Sequence, residues 1–222
     1  MPAPFVGIDV GTNAFHAVAI DAGAATCHGR VFAADELQEM TDWLAPAAVI
    51  AIDAPDRPSS GAHVTDDRVA AKFREGRCAE VALGLRSSYW VPWVTPVAPV
   101  PGSWIDVGIA LHQHLRAATG AETIETFPYA CFRQLASGDL LPTNSSVEGM
   151  RARVALLREH GLDDPRLELW SHDSIDAAVA ALVAAQHAEG VAVAFGCDPD
   201  AACGRDGSNI WLPASPAPAA PS

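Results

Sequence analysis

Residues 47–53, AAVIAID, form a continuous apolar run that ends in an acid. The run is short for a buried helix, and Val49, Ile50 and Ile52 are β-branched. A strand with no polar face must be covered on both sides. That is the situation of an interior strand in a partly parallel sheet layered by helices. The rest of the chain has to supply those layers.

Upstream, FVGIDV alternates, with Val6, Ile8 and Val10 on one face and Asp9 on the other. GTN is turn chemistry. AFHAVAID and TCHGRVFA then read as returning strands, so three hairpin-linked strands are expected. DELQEMTDWL reads as a helix capped by Asp35. Downstream of the buried run comes a loop, then a helix over 68–86 that contains Gly76 and Gly84. An irregular Trp/Pro segment follows, and then the helix IDVGIALHQHLRAA. AETIETF, 121–127, is a fifth strand, and Pro128 opens the short helix PYACFRQLA. Helices over 148–160 and 172–186 and a late strand, VAVAFG, complete the order. This order predicts an α/β domain over 1–213 with a mixed sheet, antiparallel on one side and parallel on the other. Helical and irregular chain, about 54–120, is inserted between strands 4 and 5, and the Pro/Ala tail 214–222 is expected to be disordered.

Composition narrows the partners. Fourteen basic residues against 27 acidic ones give −13, which argues against non-specific coating of nucleic acid. Residues 57–86 are the exception at +2, so an anionic partner is expected to meet that stretch first. The longest uncharged run, 87–105, contains four prolines, which excludes a membrane helix there. Five cysteines without metal spacing and without a signal segment read as reduced thiols in the cytoplasm.

The acids carry the chemistry. Asp9 interrupts an apolar strand, Asp53 ends the buried one, Glu125 ends the next, and Asp173 and Asp176 open the last long helix. In open α/β sheets, ligands collect outside the carboxyl ends of the strands. A carboxylate in apolar surroundings is costly unless paired, hydrogen-bonded or metal-bound, and several together cannot all ionise without cations. Hard ions such as Mg²⁺ and Mn²⁺ take oxygen ligands of this kind. Two of them, about 3.5–4 Å apart, can activate water and stabilise the leaving oxygen of a phosphodiester. Asp173 and Asp176 lie one turn apart at the border of a stripe of Ile175, Val179, Leu182 and Val183. Plainer roles compete: Asp173 and Asp176 as helix cap and first-turn acid, Asp53 in a strand-end turn, Glu125 as an edge acid.

These residues resemble a family. GIDVGTNAFHAVAID looks like the first hairpin of ribonuclease H-like proteins, and HDSIDAAVAALVA is similar to the D-x-x-D-A helix of Holliday-junction resolvases. The closer resemblance is to the domain-of-unknown-function 429 family, predicted ribonuclease H-like nucleases. It rests on GIDVG, AIDAP, GRCAEVALGLR, ETFPYA, HDSIDAAVAALVA and GSNIWLP. The resemblance implies a five-stranded mixed sheet flanked by helices. It implies metal ligation by Asp9, Asp53, Asp173 and Asp176. Glu125 matches a family glutamate, a candidate for substrate or supporting contacts, and Arg77, Cys78 and Glu80 match an R-x-C-x-E pattern loosely.

The expectation is a Mg²⁺- or Mn²⁺-dependent, two-ion phosphodiesterase acting on nucleic acid or a nucleotide. Thr12, Asn13, Arg74, Arg77 and Arg86 are candidate phosphate contacts, and Trp90, Trp93 and Trp104 candidate base contacts or core cover. The alternatives are a non-catalytic nucleotide- or partner-binding module on the same fold, and a sugar-kinase-type phosphotransferase. The last shares the DVGTN loop, but 222 residues leave little room for its second lobe.

Overall fold

The computed structural model describes residues 4–21, 27–67, 69–86, 89–196 and 206–214, with the side chains of 85 and 86 excepted. Three antiparallel strands open the chain: β1 (Phe5–Val10), β2 (Ala14–Ile20) and β3 (Cys27–Ala33). Helix α1 (Leu37–Leu44) leads to β4 (Val49–Asp53), which runs parallel to β1. Strand β5 (Glu122–Thr126) adds in parallel to β4. The apolar run 47–53 is thus an interior strand, with Val49, Ile50, Ala51 and Ile52 all buried.

The sheet has seven strands rather than five. β7 (Asn209–Leu212) pairs parallel with β5, and β6 (Val193–Gly196) pairs antiparallel with β7, giving the order β3-β2-β1-β4-β5-β7-β6. The expected late strand exists, but β7 separates it from β5. The expected helix over 68–86 is broken. A single 3-10 turn at Ala71–Phe73 is followed by α2, Cys78–Arg86. Gly84 sits against the Phe73 ring, where a Cβ would approach to 2.5 Å, so the turn folds back onto the helix instead of extending it.

Two cores sandwich the sheet. One face carries α1 and α3 (Trp104–Thr119), packed through Met40, Leu44, Leu111 and Leu115 onto Val6, Ile8, Ile50 and Ile52. The other face carries α4 (Pro128–Leu135), α5 (Val147–Glu159) and α6 (His172–Ala188). Ala177 to Ala184 are all buried, so the middle of α6 is enclosed on every side rather than along one stripe. It fits because its contact residues are small. A Cβ on Gly7 would fall 2.0 Å from the Ala177 carbonyl oxygen and 2.2 Å from the Ala181 nitrogen. Gly7→Ala is therefore expected to lower stability by about 1–3 kcal/mol or more, read from the denaturant midpoint. An unchanged midpoint would mean that α6 does not rest on β1 in this way.

Cys27 and Cys131 are buried free thiols, but Cys78 is disulfide-bonded, which corrects the expectation of uniformly reduced cysteines. Cys197, Cys203 and the tail from 215 onward lie outside the described residues. Pro213 and Ala214 are docked: Gln134 donates to the Pro213 carbonyl, and the Ala214 amide donates to Gln186 at 2.7 Å. Among the described residues, no helix is long and apolar enough to cross a membrane.

Candidate active site

Strand parity decides which acids meet. Asp9 and Asp53 are register partners in the parallel β1–β4 pair, so their side chains leave the same face, the α6 face that Gly7 also presents. α6 runs antiparallel to β1 and brings its first turns over the carboxyl ends of β1 and β4. Asp173 and Asp176 then act electrostatically on Asp9, and Asp176 acts on Asp53.

Capping does not explain that acidic pair. The cap of α6 is Ser171, whose Oγ accepts from the Ser174 amide at 3.2 Å. Asp173 instead faces two histidines: His16 Nε2 at 3.6 Å and His172 Nε2 at 3.4 Å. His16 lies opposite Asp9 across the β1–β2 hairpin and bonds Ser174 Oγ through Nδ1 at 3.0 Å. Burial lowers the His16 pKa, against the pull of Asp173. Asp176 accepts a hydrogen bond from Asn144 and feels the Arg153 charge. His16, Asn144 and Arg153 were not among the expected site residues.

The carboxyl groups show the cost of this gathering. Burial, then the charges of Asp176 and Asp173, push Asp9 up to about 7. Burial, then Asp9 and Asp176, push Asp53 well above the usual carboxylate range. The two carboxyl groups interact directly, so they share the tendency to hold a proton. Burial also lifts Asp176 to about 6, with Arg153 and His172 opposing. Among the described residues, no three or more His, Cys, Asp or Glu groups converge closely enough to hold an ion as they stand. The donor set is nevertheless all oxygen and short of counter-charge, which is the chemistry a hard dication satisfies.

Glu125 does not join this cluster. In the β4–β5 register it partners Ile52, so it points to the opposite face, towards α3. There Arg77 Nη1 and Nη2 each donate to a Glu125 oxygen at 2.6 Å. Arg77 Nε donates to Glu80 at 3.0 Å, and the Asp56 amide donates to Glu125 at 3.0 Å. Arg57 and Arg116 close on Asp56 at 2.7 and 3.1 Å. Three arginines thus neutralise three acids. Burial works against the Arg77 charge, but Glu125 and Glu80 outweigh it and hold the guanidinium protonated well above its ordinary value.

This network corrects two expectations. Arg77 is fully buried and is not presented to a phosphate, and the cationic stretch 57–86 is largely consumed inside the protein. Arg74 is paired at the surface with Asp67 at 3.1 Å, and Lys72 donates to the Val91 carbonyl. The Arg86 side chain lies outside the described residues. Thr12 and Asn13 are exposed in the β1–β2 turn, which the Gly11 amide closes on the Ala14 carbonyl at 3.0 Å.

Trp93 is cover: it packs edge-on against Phe127 at 4.4 Å and Trp104 at 5.4 Å. Trp90 is not, being 62% exposed at the mouth of a cavity of about 490 Å³ that Asp176 also lines.

Residues 105–201 match the family model described as "Protein of unknown function (DUF429)", which bears out the expected resemblance over that stretch. The match contains Glu125 and the α6 pair but neither Asp9 nor Asp53. No curated protein matches the chain. Two solved structures align with it. One is Thermus thermophilus RuvC, at TM-score 0.44 and 14% identity, over 83% of this chain and 95% of that one. The other is T. thermophilus RuvC in complex with a Holliday junction substrate, at TM-score 0.41 and 9% identity, over 83% and 94%. The chain's own topology is a β3-β2-β1-β4-β5 mixed sheet with helices on both faces, extended by β7 and β6.

Proposed function

We propose that the chain is a Mg²⁺- or Mn²⁺-dependent nuclease of ribonuclease H-like type. Asp9, Asp53, Asp173 and Asp176 would hold the metal, as one or two ions. The observation behind this reading is the same-face meeting of Asp9 and Asp53 beneath the acidic first turns of α6, with their carboxyl groups driven towards protonation. Held there, a dication would supply activation of a water and stabilisation of the leaving oxygen of a phosphodiester. The chain's part is placement. β1 and β4 fix two carboxylates in register. The Ser171 cap and the His16–Ser174 bond fix the start of α6, and with it Asp173 and Asp176. Trp90, Phe127 and Tyr129 line a cavity beside Asp176.

Two measurements test this reading. In metal-free protein, the stability that the raised Asp9 carboxyl contributes is complete below its ordinary value of 3.8 and is lost as pH rises through about 7. The thermal midpoint is expected to fall across that window. Millimolar Mn²⁺ is expected to restore it by roughly 5–10 °C, the effect of a ligand at about 100-fold its Kd. Mn²⁺-dependent cleavage of a labelled oligonucleotide is expected alongside. No thermal shift and no cleavage would leave only a non-catalytic nucleotide- or partner-binding module.

A further inference from the structure

The cavity beside Asp176 has an aromatic lining. Trp90, Phe127 and Tyr129 line it together with Asn144 and Arg153. The aromatic wall is braced from behind: Trp90 meets Tyr129 edge-on at 5.9 Å, Tyr129 tilts on Phe127 at 5.5 Å, and Trp93 props Phe127. Arg153 is buried and anchored. Its Nη1 donates to the carbonyls of Pro142 at 2.9 Å and Gly149 at 3.0 Å, and its guanidinium lies 5.4 Å from the Phe132 ring. Asn144 is tied to Asp176. The volume, about 490 Å³, lies in the range of small-molecule sites.

Charge then selects the occupant. The chain carries −13, and Arg57, Arg77 and Arg116 are committed to internal acids. Phosphate neutralisation therefore has little to offer as a source of affinity. Stacking does not need surface charge, and every base has a face to stack. In a paired duplex those faces are covered by neighbouring pairs, so a base enters such a cavity only when it is unpaired.

We infer that this cavity receives one unpaired base of a nucleic-acid strand, stacked on Trp90 with its edge towards Tyr129, so that the adjoining phosphodiester lies at Asp176 and its neighbours. The inference rests on the nuclease reading and narrows its substrate to single-stranded or locally unpaired nucleic acid.

The test is equilibrium binding of the full chain, by anisotropy, to a labelled oligothymidylate of about eight nucleotides. A blunt duplex of matched length and free AMP are the comparison ligands, all with Ca²⁺ in place of Mn²⁺. The single strand is expected to bind at least about tenfold more tightly than the duplex, and Trp90→Ala to weaken it about 5- to 150-fold. Trp90 is largely exposed, so its removal should leave the thermal midpoint unchanged, and Trp90→Phe should recover most of the affinity. Equal affinity for duplex, or no effect of Trp90→Ala, would overturn the inference. AMP binding as tightly as the strand, with the same Trp90 dependence, would assign the cavity to a small nucleotide and overturn it too. Trp90-dependent strand binding without Mn²⁺-dependent cleavage would support the base site while removing the hydrolytic reading.

Discussion

Asp9→Asn is expected to lower Mn²⁺-dependent cleavage by roughly 10²–10³-fold, the scale on which loss of one preorganised electrostatic group acts. The same change is expected to raise the metal-free thermal midpoint near neutral pH. Both effects come from one cause. Burial, then the charges of Asp176 and Asp173, push the Asp9 carboxyl up to about 7, so an uncharged isostere removes both the desolvation cost and the repulsion when no cation is present. A residue kept for structure would show the reverse pattern, with stability falling and activity following it down. Paired melts and single-turnover rates on the two proteins separate the cases. A variant that cleaves at the wild-type rate would remove Asp9 from the reaction.

The largest stability effect is expected on the other face of the sheet. Arg77→Ala leaves Glu125 and Glu80 buried without their counter-charge, and breaking one side of such a pair costs about 3–5 kcal/mol. For a chain of this size that is roughly 6–20 °C in thermal midpoint. Arg77→Lys should recover little, because an ammonium cannot reproduce the two parallel bonds to Glu125. Glu125→Ala should cost a similar amount. The double variant should cost much less than the two single changes added together, since the shared interaction is lost only once. Strict additivity in that cycle would mean that Arg77 and Glu125 do not act as a unit.

The sequence made the layered sheet legible because its strands are patterned. The buried run 47–53, the alternating first strand and the apolar late helix each appear with bounds within a few residues of those expected. β7 escaped because four residues, NIWL, carry little period, and the neighbour it needs lies more than eighty positions away. The site was legible in its aspartates and not in its register. Asp53 ends β4, but Glu125 stands one residue before the end of β5 and pairs with Ile52 instead of Asp53, and that one-residue offset sends it to the opposite face. His16 was findable: the GTN turn sets Val10 opposite Phe15 and therefore Asp9 opposite His16. Asn144 and Arg153 carry no local pattern that points at Asp176; only tertiary packing brings them there.

The start of α2 is held by residues from the far end of the chain. Asp206 Oδ2 accepts from the Cys78 amide at 2.9 Å, and Ser208 Oγ accepts from the Ala79 amide at 3.1 Å. Arg57 reaches the same segment through the Asp206 carbonyl at 2.9 Å. During vectorial synthesis, the stretch bearing Arg77 therefore emerges long before the groups that seat it. Until residues 206–208 leave the ribosome, the first turn of α2 lacks the side chains that accept from its amides, so its seating waits on late chain.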